Sequence, residues 1–198
     1  MGLGNIFSVF RAINRFGSVE VIRVDCLEKL PNVEALVLPG VSSTKKYMER
    51  IRQRKWQGPL KLFVRSKKPI LGICSGFQVL SDWSDEDGGC QGLGVIPGNT
   101  VKLSREFSNT GWLECKNFAT KGSKKMLGLE SMFTESRAYF NHSYGVRSDH
   151  TFDFESKFSG PYFALLIANN IWGAQFHPEC SQKFGHEFFR SFLFGKIF

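Results

Sequence analysis

Cys74, His177 and Glu179 are the residues whose types and settings could do chemistry. Cys74 lies in Gly72-Ile73-Cys74-Ser75-Gly76, directly after the apolar run Pro69 to Ile73. The run reads as a buried strand, and Phe77 and Leu80, three apart, read as a helix beyond it. Between the two the chain must turn sharply, and the flanking glycines let backbones approach with no Cβ in the way. A strand, a tight turn and a helix with a nucleophile at the tip make a nucleophile elbow, here with Cys in place of Ser. A free thiol has a pKa of about 8.5, so little of it is thiolate at neutral pH. A helix start and a neighbouring imidazole both favour the thiolate. His177 is the candidate imidazole. Glu179 could hold its other nitrogen and fix the tautomer. The backbone N–H of Ser75 and a second from Gly40–Val41 would receive the oxyanion. Such a set suits acyl transfer through a thioester.

Each residue also has a plainer reading. A buried Cys is often a small hydrophobe. His-Pro-Glu after a strand can be a structural turn. His177 and Cys180 have His-x-x-Cys spacing, but zinc needs three or four ligands and the second pair is missing, so no metal is expected. Cys26, Cys90, Cys115 and Cys180 are expected to have no catalytic role. Of the other histidines, only His142, in Phe140-Asn141-His142-Ser143-Tyr144, looks close to the site.

The elements that must position these groups follow from periodicity. Ile6, Val9, Phe10 and Ile13 fall on one helical face, ended by Gly17. Val19 to Val24 reads as a strand, and Glu34 to Gly40 as a second, buried on both faces. Ser42 to Lys55 and Gln57 to Arg65 read as helices. Strand and helix alternating in this way predict an α/β fold, a mostly parallel sheet flanked by helices. Shorter β-like runs follow at Thr100 to Leu103, Trp112 to Asn117, Ala138 to Tyr144, Tyr162 to Ala168 and Ile171 to Phe176. They suggest antiparallel strands added to the sheet. Asn169-Asn170 is a plausible hairpin turn. Phe184, Phe188 and Phe192 form one stripe of a C-terminal helix, which reads as core. In open α/β sheets ligands gather at the carboxyl ends of strands. Those ends here carry Pro39-Gly40-Val41, Cys74 and His177-Pro178-Glu179.

The chain of 198 residues suits one domain, 1–198. Its 20 Phe suggest a Phe-packed core. The net charge of +8 could attract nucleic acid or an anionic surface, but no nucleic-acid motif supports that. The basic clusters Lys45-Lys46, Arg50 to Lys55 and Lys121 to Lys125 read as solvated faces. Five cysteines without a secreted-type spacing, no signal peptide and no membrane-spanning apolar run point to a reduced cytoplasmic protein.

Four stretches, GICSGFQVL, GGCQGLGVIPG, YFNHSYGV and GAQFHPECSQ, together resemble the class I glutamine amidotransferases. The further stretches GNIFSVFRAI, VLPGV, TGW and HSY are similar to the glutaminase subunit of imidazole glycerol phosphate synthase. The resemblance covers nearly the whole chain. It implies a flavodoxin-like fold and a glutaminase of histidine biosynthesis, with no cofactor. It also implies a heterodimer whose partner is a (β/α)₈-barrel cyclase that receives the ammonia. The family's Cys-His-Glu triad maps onto Cys74, His177 and Glu179. Gln78, Glu86 and the backbone of Ser143 and Tyr144 would meet the bound glutamine. Pro39-Gly40-Val41 would be the oxyanion loop.

Several positions depart from the family. Its first strand is missing ahead of Met1-Gly2-Leu3-Gly4-Asn5. Ser42 replaces a glycine that eases a peptide flip in the oxyanion loop. Cys180 replaces a lysine and Leu113 an asparagine, and Ser108-Asn109-Thr110 also differs. These last positions lie on the family's docking face. The changes keep other readings open. One is an ammonia supplier for sugar amidination in surface-polysaccharide (lipopolysaccharide) synthesis. Another is a catalytically impaired binding subunit, and a third is a stand-alone cysteine hydrolase.

Overall fold

The computed structural model describes residues 3–40, 42–104, 110–120 and 137–195. Met1, Gly2, Val41, Ser108, Asn109 and the Lys121 to Lys125 cluster lie outside the described residues. The site hangs on a six-stranded sheet. Three of its strands are parallel: β1 (Leu36–Leu38), β2 (Ile70–Ile73) and β12 (Ile171–Ala174), with β2 in the middle. Beyond β12 come β11 (Tyr162–Ala168), β10 (Phe154–Ser159) and β7 (Lys116–Thr120), all antiparallel. The expected parallel core with added antiparallel strands is therefore present, and the added part is as large as the parallel one.

Side chains alternate across this sheet because strand Cβ atoms point to opposite faces. Ile70 faces a cluster with Tyr47, Met48 and Ile51 of α2 (Thr44–Gln53) and Leu60 and Phe63 of α3 (Gln57–Arg65). Leu71 and Ile73 face the other way. They meet Val9 and Ile13 of α1 (Leu3–Asn14) and Phe188, Phe189 and Phe192 of the C-terminal helix α5 (Gln182–Phe194). The Phe-packed core is real: Phe140, Phe154, Phe163, Phe176 and Phe188 are all fully buried. Each such ring contributes roughly 1.5–3 kcal/mol of burial. Phe188 meets Phe176 edge-on at 5.1 Å and Trp172 at 5.7 Å.

The other strands form two smaller sheets. One runs β4 (Cys90–Gln91), β3 (Trp83–Ser84), β5 (Asn99–Lys102), β9 (Tyr144–Arg147), and the other pairs β6 (Thr110–Glu114) with β8 (Arg137–Asn141). The expected run at Ala138 to Tyr144 is thus broken between two sheets. The hairpin between β11 and β12 turns at Asn169, whose φ is +53°. Asn170 fastens that turn, its amide donating to the carbonyls of Val64 (3.0 Å) and Lys68 (2.8 Å).

Val19 to Val24 is not a strand. Strand propensity alone makes no strand; a neighbour at ladder distance is needed. Between this stretch and β1 lies a cavity of about 950 Å³. Ile6, Val9 and Ile13 line it from one side and Tyr47, Ile51 and Leu60 from the other. The cavity lies along β1, which is the edge of the described sheet.

Candidate active site

The elbow forms where β2 ends. Cys74 has φ +52° and ψ −114°, a strained state for a residue with a Cβ. Its N–H extends the β2–β12 ladder to the Ala174 carbonyl at 2.8 Å. Its carbonyl accepts from the N–H groups of Phe77 and Gln78, both at 3.0 Å. The helix beyond, α4 (Ser75–Gln78), is a single turn, shorter than the apolar spacing predicts. It therefore lacks the length for a substantial dipole, and stabilisation of a thiolate falls to the imidazole. Two glycines make the crossing of strands possible. A Cβ on Gly76 would lie 1.9 Å from the Leu38 carbonyl oxygen, and one on Gly40 would lie 2.9 Å from the Cys74 Cβ. The end of β1 is thereby pressed against the nucleophile.

His177 follows β12 by three residues and is held by its own backbone. Its N–H donates to the Tyr139 carbonyl (2.8 Å), and its carbonyl accepts from the Ser181 hydroxyl (2.7 Å). That hydroxyl also accepts from the Tyr139 N–H at 3.0 Å, tying the His177 turn to β8. The imidazole Nδ1 lies 2.9 Å from the Glu179 Oε1, and the Glu179 side chain is fully buried. On its other side the ring hydrogen-bonds the Cys74 thiol. Burial by itself would lower the imidazole pKa. The hydrogen bonds to Cys74 and Glu179, with their charges, outweigh it and raise the value to about 10. These contacts favour the protonated imidazole beside the Cys74 thiol.

The other cysteines lack that help. Burial raises the thiol pKa of Cys90 and Cys115. Burial, then the Glu179 charge, raises that of Cys180. Among the described residues no three His, Cys, Asp or Glu side chains gather as a metal site, and no helix is long and apolar enough to cross a membrane.

A cavity of about 380 Å³ opens over the thiol. Gly40, Ser42, Cys74, Ser75, His177 and Cys180 line it, together with Tyr139 and Asn141, which sequence reasoning missed. Three of the expected strand ends therefore do meet. Val41 lies outside the described residues.

Gln78, Glu86, Ser143 and Tyr144 are not in the cavity wall. Gln78 is buried behind it. Its Oε1 accepts from the Thr44 hydroxyl (2.9 Å), and its Nε2 donates to the Tyr144 carbonyl (2.7 Å). The Glu86 Oε2 accepts from the Thr44 N–H at 2.7 Å. The Ser143 carbonyl accepts from the Leu103 N–H at 3.0 Å. These hydrogen bonds join strand ends inside the protein.

His142 is close to the site, as expected, but packed away from it. Its Nδ1 lies 2.8 Å from the Tyr144 carbonyl, and its ring sits against Phe140 and Phe158. Burial pushes its pKa down to about 4; the Tyr144 hydrogen bond opposes that, and the His177 charge adds to it.

The two histidines give stability opposite pH dependences. His177 keeps its proton above the ordinary 6.5, so its contribution is complete below 6.5 and is lost as pH rises through about 10. His142 stays neutral below 6.5, so its contribution is complete above 6.5 and is lost as pH falls through about 4. The thermal midpoint, measured between those limits at constant ionic strength, should peak near 6.5 and decline on both sides. Replacing His142 with Leu should flatten the acid side and leave the alkaline side in place.

A cysteine on a strand-end elbow, beside a histidine that a buried glutamate holds, makes this an α/β protein with a candidate thiol site at the carboxyl ends of its parallel strands. The chain belongs to the class-I glutamine amidotransferase family, whose model matches residues 1–195. It is 34% identical over 195 residues to "Imidazole glycerol phosphate synthase subunit HisH" of Desulfitobacterium hafniense (strain DSM 10664 / DCB-2), covering 96% of this chain and 90% of that protein. To the protein of the same name from Pyrobaculum aerophilum it is 36% identical over 194 residues, covering 96% and 93%. Among solved structures, "Crystal structure of glutamine amidotransferase" superposes with a TM-score of 0.71 at 18% identity, over 96% of this chain and 93% of that one. "Structure of PurLQS from Thermotoga maritima" gives 0.64 at 19% identity, over 94% and 91%. At these identities the structures speak for the fold alone.

Proposed function

We propose that this chain is the glutaminase subunit of a two-subunit synthase, hydrolysing glutamine through a thioester on Cys74. The observation that carries the reading is the His177–Glu179 contact of 2.9 Å, made by the same imidazole that hydrogen-bonds the Cys74 thiol. With Nδ1–H given to Glu179, Nε2 is the nitrogen left to take the Cys74 proton. The thiolate attacks the carboxamide carbon of glutamine. The Ser75 N–H and the Gly40–Val41 backbone receive the negative oxygen. The C–N bond breaks as His177 returns the proton to the leaving nitrogen, which departs as ammonia. Water then attacks the thioester, giving its proton to His177. Collapse releases glutamate, and Cys74 is regenerated. Gln78, Glu86, Ser143 and Tyr144 brace the pocket from behind, and no cofactor enters the cycle.

In this reading the ammonia goes to a (β/α)₈-barrel synthase partner in the cytoplasm; the relatives' name, a subunit of imidazole glycerol phosphate synthase, supports a synthase partner. A second reading concerns only the acceptor. Cys180 is exposed at the cavity mouth and Leu113 half-buried on β6, where the family resemblance expects Lys and Asn. The loss of that lysine charge and that asparagine amide favours a different synthase, such as one of sugar amidination. The histidine-pathway reading expects ammonia release from glutamine to rise when the purified barrel cyclase is added. No rise with the cyclase, but a rise with a sugar-amidinating synthase, would move the acceptor. No release with either would overturn the glutaminase reading.

A further inference from the structure

Thr44 was not singled out by any motif, yet it is fully buried at the start of α2, just past the loop that holds Gly40 and Ser42 against the thiol. Its N–H is taken by Glu86, and its hydroxyl by the Gln78 Oε1. A primary amide can flip, and only its partners decide which end is oxygen. The Tyr144 carbonyl, which can only accept, places Nε2 on its side, and the Thr44 hydroxyl then donates to the Oε1 end. The Gln78 Nε2 then points at the Tyr144 carbonyl and, at 3.3 Å, at the Gln175 Oε1. Gln78 lies one turn past Cys74 and donates its backbone N–H to the Cys74 carbonyl. Gln175 lies two residues before His177. One buried amide therefore joins the segments after β1, β2 and β12, which carry the oxyanion loop, the thiol and the imidazole.

We propose that Thr44 is a positioning residue. Its hydroxyl anchors the Oε1 end of the Gln78 amide and so holds Cys74 and His177 in register with the oxyanion loop. The proposal deepens the glutaminase reading and rests on it for the reaction, but it concerns the thiol–imidazole pair directly. Val has nearly the shape of Thr and removes only the hydroxyl. Without that donor the buried Gln78 Oε1 loses its hydrogen-bond partner, and the amide is held only at its Nε2 end, by Tyr144 and Gln175.

The test uses the full chain with its synthase partner. Two rates are read: ammonia release from glutamine, and alkylation of Cys74 by iodoacetamide, followed by mass spectrometry. Thr44→Val should lower kcat about tenfold with KM within about twofold, and slow alkylation by a similar factor. Thr44→Ser, which restores the hydroxyl, should return both to within about twofold. Alkylation of the Val variant at the wild-type rate would overturn the proposal. So would a loss that Thr44→Ser does not restore, since that would mark the methyl group and simple packing as the cause. If no variant releases ammonia, while alkylation falls in Val and recovers in Ser, the glutaminase reading fails and the positioning role of Thr44 stands.

Discussion

Cys74→Ala should reduce ammonia release from glutamine by about 10⁴-fold or more, with no covalent adduct formed by a glutamine-mimicking chloroketone. The size follows from what is lost. Removing the nucleophile of a triad leaves only binding and the oxyanion donors, and the remaining triad members do not act alone. The His177–Glu179 contact should survive, because Ser181, Tyr139 and Glu179 hold it without Cys74. The same position should also show that the elbow is strained. Cys74 sits at φ +52°, ψ −114°, a region costing roughly 1–3 kcal/mol for a residue with a Cβ. Cys74→Gly should therefore be as inactive as Cys74→Ala and have a higher thermal midpoint. Ammonia release persisting in Cys74→Ala would remove the thioester mechanism. A Cys74→Gly protein less stable than Cys74→Ala would remove the strain argument.

Gly76→Ala should be among the most damaging small substitutions for folding. Its Cβ would lie 1.9 Å from the Leu38 carbonyl oxygen and 3.3 Å from the Leu38 Cβ. The first contact is with backbone, which no rotamer change relieves. Either β1 or the elbow must move, and both carry parts of the site. Overpacking in a filled core costs about 1–3 kcal/mol and sometimes more, and here the cost should reach the upper end. Urea unfolding should show a lower midpoint, and the folded fraction should alkylate slowly at Cys74 because Gly40 no longer abuts it. A Gly76→Ala protein as stable and as reactive as wild type would mean that β1 and the elbow are not in contact. By contrast Gly58, whose added Cβ meets nothing within 4 Å, should accept Ala with little change, and it serves as the control.

Local pattern was enough for the elements and for the His177–Glu179 contact. The apolar run into Gly72-Ile73-Cys74-Ser75-Gly76 had to be a buried strand ending in a tight turn, and β2 and Cys74 lie there. Helix periodicity located α1, α2, α3 and the Phe stripe of α5, because one face of each must meet the sheet. His177 and Glu179 lie two residues apart, so their contact needed only a local turn.

Tertiary structure decided the rest. Val19 to Val24 has the composition of a strand, but pairing depends on a neighbour the stretch itself does not contain. The family resemblance, not local pattern, implies that Gln78 contacts substrate. Its partners within the fold, Thr44, Tyr144 and Gln175, lie 34, 66 and 97 positions away, and no local pattern records them. His142 and His177 are the same residue type with opposite pKa shifts, because one is surrounded by aromatic rings and the other by a thiol and a carboxylate. Short-range rules act through backbone torsion and side-chain period, which a few neighbours determine. The charge state and orientation of a buried polar group depend on whichever distant residues folding brings within hydrogen-bond reach.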